Sequence, residues 1–346
     1  MTKYIIQDSA TIKDALVSLD GNTHDGQTLF VIDAKARMVG TLTDGDIRRG
    51  LINGVALDDS VSKAMHCNFK FIREGENDAK RLKEFRERLI YFVPVLDTDG
   101  HIVKICNLQK YRNYLPIDAV LMAGGKGERL RPLTEKTPKP LLPVGEKAII
   151  DHNIDRLISY GINHISVTVN YLKEQIEEHF AEPRGDVRVQ TVREPKFLGT
   201  IGSIKFVPAF YNDTILVMNS DLFTNINYED FYLHFKEHNA DMSVVAVPYS
   251  IQVPYGIFQL EGRRDIKGIV EKPTYDYYAN AGIYLIKKTA LDFIPLDTMF
   301  HSTHLMEKLI EAGKRVIRFP LNGTWIDIGN PQEYKRANEL VGHMHF

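Results

Sequence analysis

Residues 117–143 read IDAVLMAGGKGERLRPLTEKTPKPLLP and determine how most of this 346-residue chain folds. Residues 119–123 are apolar without alternation, which predicts a strand covered on both faces, as in a parallel α/β sheet. The glycines that follow permit positive φ angles and bring backbone N–H groups close to an anion. Four prolines fix the backbone, so a stiff loop is predicted rather than a helix. Basic residues surround the glycines, at Lys126, Arg129, Arg131, Lys136 and Lys139.

Two better-known glycine motifs fit this loop poorly. A P-loop requires Gly-Lys-Ser/Thr after four spacer residues, but Gly125 and Lys126 are followed by Gly127. A dinucleotide fingerprint requires a third glycine three positions after the second, where this chain has Leu130. The glycine turn alone therefore leaves two interpretations open, a structural turn and a phosphate-binding site.

Composition and charge are those of an ordinary globular protein. The length predicts about two domains, and 44% hydrophobic with 25% charged residues is typical. A net charge of -2 gives no support to a nucleic-acid partner or a polybasic membrane patch. The first ten residues lack the apolar core of a secretory signal, and no segment approaches membrane-spanning length. The two cysteines, Cys67 and Cys106, lack paired-ligand spacing, which favours free thiols and a cytoplasmic location.

An internal repeat organises residues 1–115. Each half is predicted to contain a helix, a strand, a turn and a second strand. The first half uses residues 10–19, 29–33 and 38–43, and the second uses residues 77–89, 92–97 and 101–108. Val31 and Val95 mark the spacing of 64 residues. We expect the two halves to bury each other's apolar faces.

At residues 40–49 this region resembles a CBS-domain pair, a regulatory module whose units often bind adenosine-containing nucleotides. The resemblance implies that Thr43 and Asp46 hold ribose hydroxyls of an adenine nucleotide, and it implies a homo-oligomer. The second half departs from that pattern, because Asn107 occupies the position equivalent to Thr43. The alternative for the first half is structural, with Asp44 and Asp46 capping the helix that follows.

From residue 117 onward, strand and helix patterns alternate. Predicted helices cover residues 148–160, 172–180 and 228–238, and predicted strands cover residues 164–170, 186–192, 214–218 and 242–247. This alternation predicts an α/β domain over residues 117–346, with a Rossmann-like, mostly parallel mixed sheet covered by helices. Ligands bind such sheets at the carboxyl ends of the strands. The smaller α/β module over residues 1–115 precedes it.

Three further groups of residues fall where that edge of the sheet is expected. They are REPKFLGTIGS at 193–203, NSD at 219–221, and VEKP at 270–273 with NAGIY at 280–284 and WIDIG at 325–329. Asp221 and Asp327 are candidates for a shared Mg²⁺, which prefers one or two carboxylates with phosphate oxygens and water. Taken singly, each has an ordinary structural interpretation: Asp221 as a cap, and Glu271 with Lys272 as a solvated turn.

The order of these segments resembles the sugar-nucleotide pyrophosphorylases, which join a sugar 1-phosphate to a nucleoside triphosphate. The most specific part is AGGKGERLRPLTEKTPKPLLPV at residues 123–144, followed in the family's order by LGT, NSD, EKP, NAGIY and WxDIG. The resemblance covers nearly all of residues 117–346. It implies a GT-A-like nucleotidyltransferase fold and release of pyrophosphate.

The resemblance also assigns roles to the matching residues. It implies that Arg129 contacts the leaving phosphates and that Lys139 contacts the phosphate at the reacting centre. It implies that Lys272 binds the sugar phosphate, and that Asp221 and Asp327 hold the Mg²⁺. The implied nucleotide-binding residues are Ala123, Gly124, Gly125, Lys126, Gly127, Gly199, Thr200 and Asn219. The implied sugar-binding residues are Glu271, Lys272, Asn280 and Gly282.

A CBS pair ahead of such a transferase resembles the guanylyltransferases that act on glucosamine 1-phosphate in legionaminic acid pathways. GTP and glucosamine 1-phosphate are therefore the expected substrates. Mannose or heptose 1-phosphate guanylyl transfer stays open, as does uridylyl or thymidylyl transfer, because pocket hydrogen bonds decide the base. A catalytically inactive nucleotide sensor is the alternative from a different class, although every catalytic position holds a suitable charged residue.

Overall fold

A computed structural model of the chain describes residues 2–21, 28–76 and 78–343. Asn77, where the predicted charged helix begins, lies outside the described residues, as do the ends of both predicted domains at Met1 and residues 344–346. Two compact units divide the chain: Met1–Leu115 with Ser159–Gly161, and Pro116–Ile158 with Ile162–Phe346. None of the described helices combines the length and apolar content needed to cross a bilayer.

The first unit contains two small sheets of the same design. Its strands are β1 (Ile5–Gln7), β2 (Thr28–Ile32), β3 (Met38–Thr43), β4 (Ile72–Arg73), β5 (Phe92–Leu96) and β6 (Ile102–Asn107), and its helices are α1 (Ile12–Asp20), α2 (Asp44–Ile52) and α3 (Ala79–Glu87). In each sheet the first two strands run parallel and the last two antiparallel.

Strand register confirms the predicted repeat. Val31 pairs with Gly40, and Val95 pairs with Lys104. Val95 and Lys104 lie 64 residues after Val31 and Gly40, respectively. The strand register also shifts directly after Val31 in the first half and directly after Val95 in the second half. Both halves contribute side chains to one apolar cluster, formed by Phe30, Met38, Phe92, Leu96 and Ile102. The expected mutual burial is therefore confirmed.

Thr43 and Asp46, the predicted ribose-binding pair, form a helix cap. Thr43 Oγ1 accepts a hydrogen bond from Asp46 N at 3.2 Å, and Asp46 Oδ2 accepts one from Thr43 N at 2.9 Å. Arg49 Nη2 donates to Asp46 Oδ1 at 2.6 Å. Thr11 and Asp14 form the same capping box at the start of α1. The structural interpretation thus accounts for both side chains, and nucleotide binding here stays a prediction.

The second unit alternates strands and helices along the chain. Its strands are β7 (Ile117–Ala123), β8 (Pro143–Val144), β9 (Lys147–Ala148), β10 (His164–Val169), β11 (Gln190–Arg193), β12 (Thr214–Asn219), β13 (Leu222–Thr224), β14 (Met242–Gln252), β15 (Ile257–Glu261), β16 (Asp265–Val270), β17 (Thr274–Lys287), β18 (Val316–Pro320) and β19 (Trp325–Asp327). Its helices are α4 (Ile149–Ser159), α5 (Lys173–His179), α6 (Tyr228–Glu237), α7 (Ser302–Glu311) and α8 (Pro331–Val341).

A seven-stranded sheet forms the centre of this unit, in the order β11-β10-β7-β12-β17-β14-β18. Neighbouring strands are parallel except at β17, which runs antiparallel to β12 and β14. β7 lies between two parallel neighbours and is buried at all but one position. The predicted mostly parallel mixed sheet is confirmed, with its centre formed by the strand that precedes the glycines.

Two strands of this sheet extend far beyond it. β14 continues to Gln252, past the predicted end at residue 247, and its residues 248–252 pair with residues 274–278 of β17. The hairpin β15–β16 lies in the connection between them. We call residues 248–280 the outer ribbon. The sequence pattern missed its length because residues 248–252 are exposed, so no continuous apolar run marks them.

Apolar packing fixes the glycine-rich loop to the rest of the second unit. Leu130 and Leu142, from either end of the proline-rich segment, share a buried cluster with Phe223, Ile326 and Ile328. Those residues belong to β13 and β19 or follow them directly. The cluster therefore sets the position of the loop relative to the segments that carry Asp221 and Asp327.

Candidate active site

A cavity of about 630 Å³ lies at the carboxyl edge of the central sheet. Register aligns Ala123, Val169 and Arg193 at this edge, because they are the last residues of three adjacent parallel strands. The residues that follow these strand ends line the cavity: Gly124, Asn170, Glu194 and, after β12, Ser220. A cavity of this size accommodates a small organic ligand.

The structure brings most of the predicted site residues to this cavity. Those that line it are Ala123, Gly124, Gly125, Lys126, Gly127, Arg129, Lys139, Gly199, Thr200, Asn219 and Asp221. All the predicted nucleotide-binding residues are among them. Sequence reasoning therefore located one end of the sheet correctly, from residues more than ninety positions apart.

The glycine-rich segment is a loop with two short 3-10 turns, at Glu128–Leu130 and Lys139–Leu141. Thr134 Oγ1 donates a hydrogen bond to Gly127 O at 2.8 Å, which ties the proline-rich part back to the glycines. Lys126 and Arg129 are exposed within the loop, whereas the Lys139 side chain is buried. The predicted loop is confirmed, with two exposed basic side chains and one buried one.

Lys139, Asp221 and Asp327 form the charged centre of the site. β13 pairs antiparallel with β19, and the register places Asp327 opposite Leu222, the residue after Asp221. Lys139 Nζ donates a short hydrogen bond to Asp221 Oδ2 and lies 3.9 Å from Asp327 Oδ1. One buried ammonium group therefore faces two carboxylates that are 106 residues apart in sequence.

Asp221 and Asp327 are the acidic groups of this centre that could hold a cation. Burial raises the pKa of the Asp327 carboxyl, and the negative charge of Asp221 raises it further, while Lys139 and Arg129 oppose the shift. Asp221 Oδ1 is buried without a hydrogen-bond partner among the described residues. Ionised carboxylates accept but cannot donate hydrogen bonds, so an orphaned oxygen beside a second acidic group suits a hard divalent ion such as Mg²⁺.

The predicted sugar-binding residues divide into two pairs. Gly282 has φ of 72°, and a Cβ there would lie 2.6 Å from Asn219 Nδ2, so only glycine fits beside this cavity-lining side chain. Asn280 Oδ1 accepts a hydrogen bond from Gly282 N at 2.9 Å. This pair lies where β17 leaves the central sheet.

Glu271 and Lys272 are placed differently. Both are exposed residues of the outer ribbon, and neither lines the cavity. Lys272 adopts a positive φ of 44°, which is uncommon for a residue with a side chain. The structure does not place this pair in the cavity wall, and their sugar-binding roles stay predictions.

Sequence reasoning assigned no role to Glu194, a buried acidic residue in the cavity wall. Only 5% of Glu194 is exposed. A Cβ at Gly124 would lie 2.5 Å from Glu194 Oε1, so the carboxyl lies directly against the glycine loop. Its position two residues after the predicted strand 186–192, inside REPKFLGTIGS, was the signal that could have identified it.

A buried polar network also escaped sequence reasoning. Ser302 Oγ donates to Tyr284 Oη at 2.9 Å, and Ser302 N donates to Thr200 Oγ1 at 3.0 Å. Asn280 Nδ2 donates to the same Tyr284 oxygen at 2.9 Å. The network joins LGT at residues 198–200 to NAGIY at residues 280–284. No local sequence pattern predicts the part that Ser302 takes in it.

Comparisons with known proteins agree with this arrangement. The family model described as "Nucleotidyl transferase" matches residues 118–343. Mannose-1-phosphate guanylyltransferase catalytic subunit beta of Xenopus tropicalis is 29% identical over 224 residues, covering 62% of this chain and 62% of that protein. Bifunctional protein GlmU of Methanococcus maripaludis is 31% identical over 233 residues, covering 64% of this chain and 54% of that protein. The chain therefore spans only part of these relatives' lengths.

A solved structure shares the same architecture. The crystal structure of HddC from Yersinia pseudotuberculosis is 25% identical, with a TM-score of 0.50. The match covers 64% of this chain and 98% of that one.

Proposed function

Because the chain belongs to the nucleotidyl transferase family, we propose that it transfers a nucleoside monophosphate from a nucleoside triphosphate to a sugar 1-phosphate. The observation that carries this proposal is the group formed by Lys139, Asp221 and Asp327 beside the glycine-rich loop. Preorganised charges of this kind stabilise phosphoryl and nucleotidyl transition states.

In the proposed reaction an oxygen of the sugar phosphate bonds to the α-phosphorus of the triphosphate. The bond from that phosphorus to the bridging oxygen breaks, and pyrophosphate leaves with the electron pair. A phosphate monoester is largely dianionic at neutral pH, so no side chain has to remove a proton. Catalysis then depends on positioning and charge neutralisation. Arg129 would bind the leaving phosphates, and Lys139 the phosphate at the reacting centre.

We propose that Asp221 and Asp327 hold a Mg²⁺ ion. The unpartnered Asp221 Oδ1 and the adjacent Asp327 carboxyl support this assignment. When bound, the ion would neutralise negative charge on the phosphates. Lys139 would keep the two carboxylates together, since its buried ammonium faces both of them.

GTP and glucosamine 1-phosphate are the proposed substrates, in the synthesis of a legionaminic-type nonulosonic acid or another surface glycan. Mannose 1-phosphate is a second candidate acceptor, supported by the name of the Xenopus tropicalis relative. Heptose 1-phosphate, UTP and dTTP remain as further alternatives to test.

Pyrophosphate release tests the proposal directly. The purified chain is incubated with GTP, UTP, dTTP, CTP or ATP, each with glucosamine 1-phosphate or mannose 1-phosphate. We expect turnover that requires Mg²⁺ and is fastest with GTP. Full activity in excess EDTA would exclude the metal assignment. Binding of nucleotide without turnover across the whole panel would instead favour the inactive sensor.

We also propose that the first unit is a CBS-like regulatory module that binds adenine nucleotide at Thr43 and Asp46. The repeat geometry supports this, and a cytoplasmic homo-oligomer would be consistent with it. AMP, ADP or ATP should raise the melting temperature, and Asp46→Ala should abolish the rise. Asp14→Ala is the matched control, because it removes an equivalent capping box without a predicted ligand role. An absent nucleotide effect would leave the unit with a structural role.

A further inference from the structure

We propose that Tyr171 and Gln175 are positioning residues, which hold the glycine-rich loop in the shape that binds a triphosphate. The inference rests on the proposed nucleotidyl transfer, because that reaction gives the loop its ligand. Neither Tyr171 nor Gln175 lines the cavity. Each would therefore act through the loop and not by contact with a substrate.

The middle of the loop has little apolar packing of its own. Residues 131–136 are exposed apart from Thr134. Leu130 and Leu142, which anchor the loop in a buried cluster, lie on either side of this stretch in sequence. A stretch with few buried contacts opens easily unless hydrogen bonds hold it in place.

Two side chains from the segment after β10 supply such hydrogen bonds. Tyr171 Oη shares its hydrogen between Thr134 O at 3.1 Å and Glu135 O at 3.2 Å. Gln175 Nε2 donates to Lys136 O at 2.9 Å. Three successive carbonyl groups of the loop are therefore held by one short segment of the chain.

The segment that carries both donors is fixed to the edge of the central sheet. β10, which ends at Val169, pairs with β7 on one side and with β11 on the other. Leu172 lies between the two donors and adopts a positive φ of 47° immediately before α5 begins. Such a backbone conformation is uncommon outside glycine and persists only where the surrounding structure enforces it, often near functional sites. The turn from β10 into α5 thus gives the donors a defined position.

Thr134 connects these hydrogen bonds to the cavity. Its hydroxyl donates to Gly127 O at 2.8 Å. A Cβ at Gly127 would lie 2.9 Å from Thr134 Cγ2 and 3.1 Å from Lys139 Cβ, so both side chains lie close to that glycine. Gly127 and Lys139 line the cavity. A movement of Thr134 would therefore displace the loop backbone beside the basic group of the charged centre.

The expected effect falls on triphosphate binding. If only a fraction of the molecules holds the loop in the correct shape, the apparent affinity falls by that fraction. The net contribution of one hydrogen bond corresponds to about threefold to tenfold in such an equilibrium. A saturating triphosphate selects the molecules with the correct loop, so turnover at saturation should recover.

Removal of single donor groups tests the proposal. Tyr171→Phe keeps the ring and deletes the hydroxyl, and we expect KM for GTP to rise about threefold to tenfold. We expect kcat to change by less than about twofold and KM for glucosamine 1-phosphate to stay the same. Gln175→Met removes the second donor at similar length and should act in the same direction. A lower melting temperature and lower kcat with an unchanged KM for GTP would indicate a merely structural role and overturn the proposal.

Tyr334→Phe is the matched control. The Tyr334 hydroxyl also donates to a carbonyl of the proline-rich stretch, Pro143 O at 2.7 Å. Pro143 lies between Leu142 and Val144, which are buried in an apolar cluster, so packing holds this carbonyl without the hydroxyl. The variant should leave KM for GTP unchanged. Equal rises for Tyr171→Phe and Tyr334→Phe would overturn the specific role of Tyr171.

A double-mutant cycle tests whether Tyr171 acts through Thr134. Thr134→Val keeps the side-chain shape and deletes the hydrogen bond to Gly127. Tyr171→Phe should then raise KM for GTP less in the Thr134→Val protein than in the wild type, because the two changes break one chain of contacts. Equal rises in both backgrounds would overturn the connection through Thr134.

Hydrogen exchange separates this inference from the proposed function, because it needs no substrate. Amide exchange over residues 124–136 should be faster in Tyr171→Phe than in the wild type or in Tyr334→Phe. Unchanged exchange overturns the positioning role whether or not the protein turns over. Faster exchange in a protein that shows no turnover with any triphosphate overturns the proposed function alone. If Tyr171→Phe fails to fold, Gln175→Met takes its place in each measurement.

Discussion

The carboxyl edge of the central sheet and the outer ribbon both carry residues that the family resemblance assigns to catalysis, yet only the edge assembles them. At the edge, parallel register and burial fix the ends of β7, β10, β11 and β12 next to one another. In the ribbon, Glu271 and Lys272 are exposed, and neither lines the cavity. Residues at buried strand ends are therefore positioned by the core, whereas ribbon residues rely on two strands that pair beyond it.

The charged centre should show the largest effect of any single substitution. Asp221→Ala removes one of two carboxylates that face Lys139, and we expect turnover to fall about a hundredfold to a thousandfold. Pyrophosphate release at saturating substrates measures the loss. Asp213→Ala, an exposed aspartate just before the other end of β12, is the control. Equal activity in the two variants would remove the catalytic role of Asp221.

Lys272 tests whether the ribbon takes part in the reaction. If it binds the sugar phosphate, Lys272→Ala should raise KM for the sugar 1-phosphate roughly tenfold, because a charge-assisted hydrogen bond is lost. Lys267→Ala changes another exposed lysine, on β16 of the same ribbon, and should have little effect. Indistinguishable KM values for the two variants would confine the site to the sheet edge.

The buried network formed by Tyr284, Ser302 and Asn280 links the two regions. Removing one of its hydrogen-bonding groups should have a smaller effect, which falls on stability. Tyr284→Phe deletes the oxygen that accepts from Ser302 and Asn280, and we expect the free energy of unfolding to fall by about 1 kcal/mol. Urea denaturation measures the change. Tyr277→Phe, in the exposed part of the ribbon, is the control. A similar change in both variants would mean that the network contributes no specific stability.

The smallest expected effect is the pH dependence of stability at Glu194. Burial raises the pKa of this carboxyl above its ordinary value of 4.5, so the folded state binds the proton more tightly than the unfolded state. The free energy of unfolding then falls as pH rises from below 4.5 through the raised pKa. Glu194→Gln removes this loss, so its stability advantage over the wild type should be greatest at neutral pH. Thermal melts across acidic and neutral pH measure the trend, and a constant difference would contradict it.

Much of the fold was predictable because it depends on local patterns. The unbroken apolar residues of β7, the alternation of strands with helices, and the repeat over residues 1–115 each produce a periodic signal within a few residues. The glycine-rich loop and the strand-terminal Asp221 followed from the same patterns, combined with the rule that ligands bind at the carboxyl ends of strands. The sequence by itself thus determined the architecture of the sheet and most of one cavity wall.

Tertiary structure alone decided which side chains meet and which stay apart. The pairing of β13 with β19 brings Asp327 to Asp221, and burial leaves one oxygen of Asp221 and one of Glu194 without a hydrogen-bond partner among the described residues. Local context left two interpretations of Thr43 open, a ligand site and a helix cap, and only the structure shows the cap. The physical reason is that strand register, burial and hydrogen-bond satisfaction depend on residues far apart in sequence, whereas periodicity reports only on near neighbours.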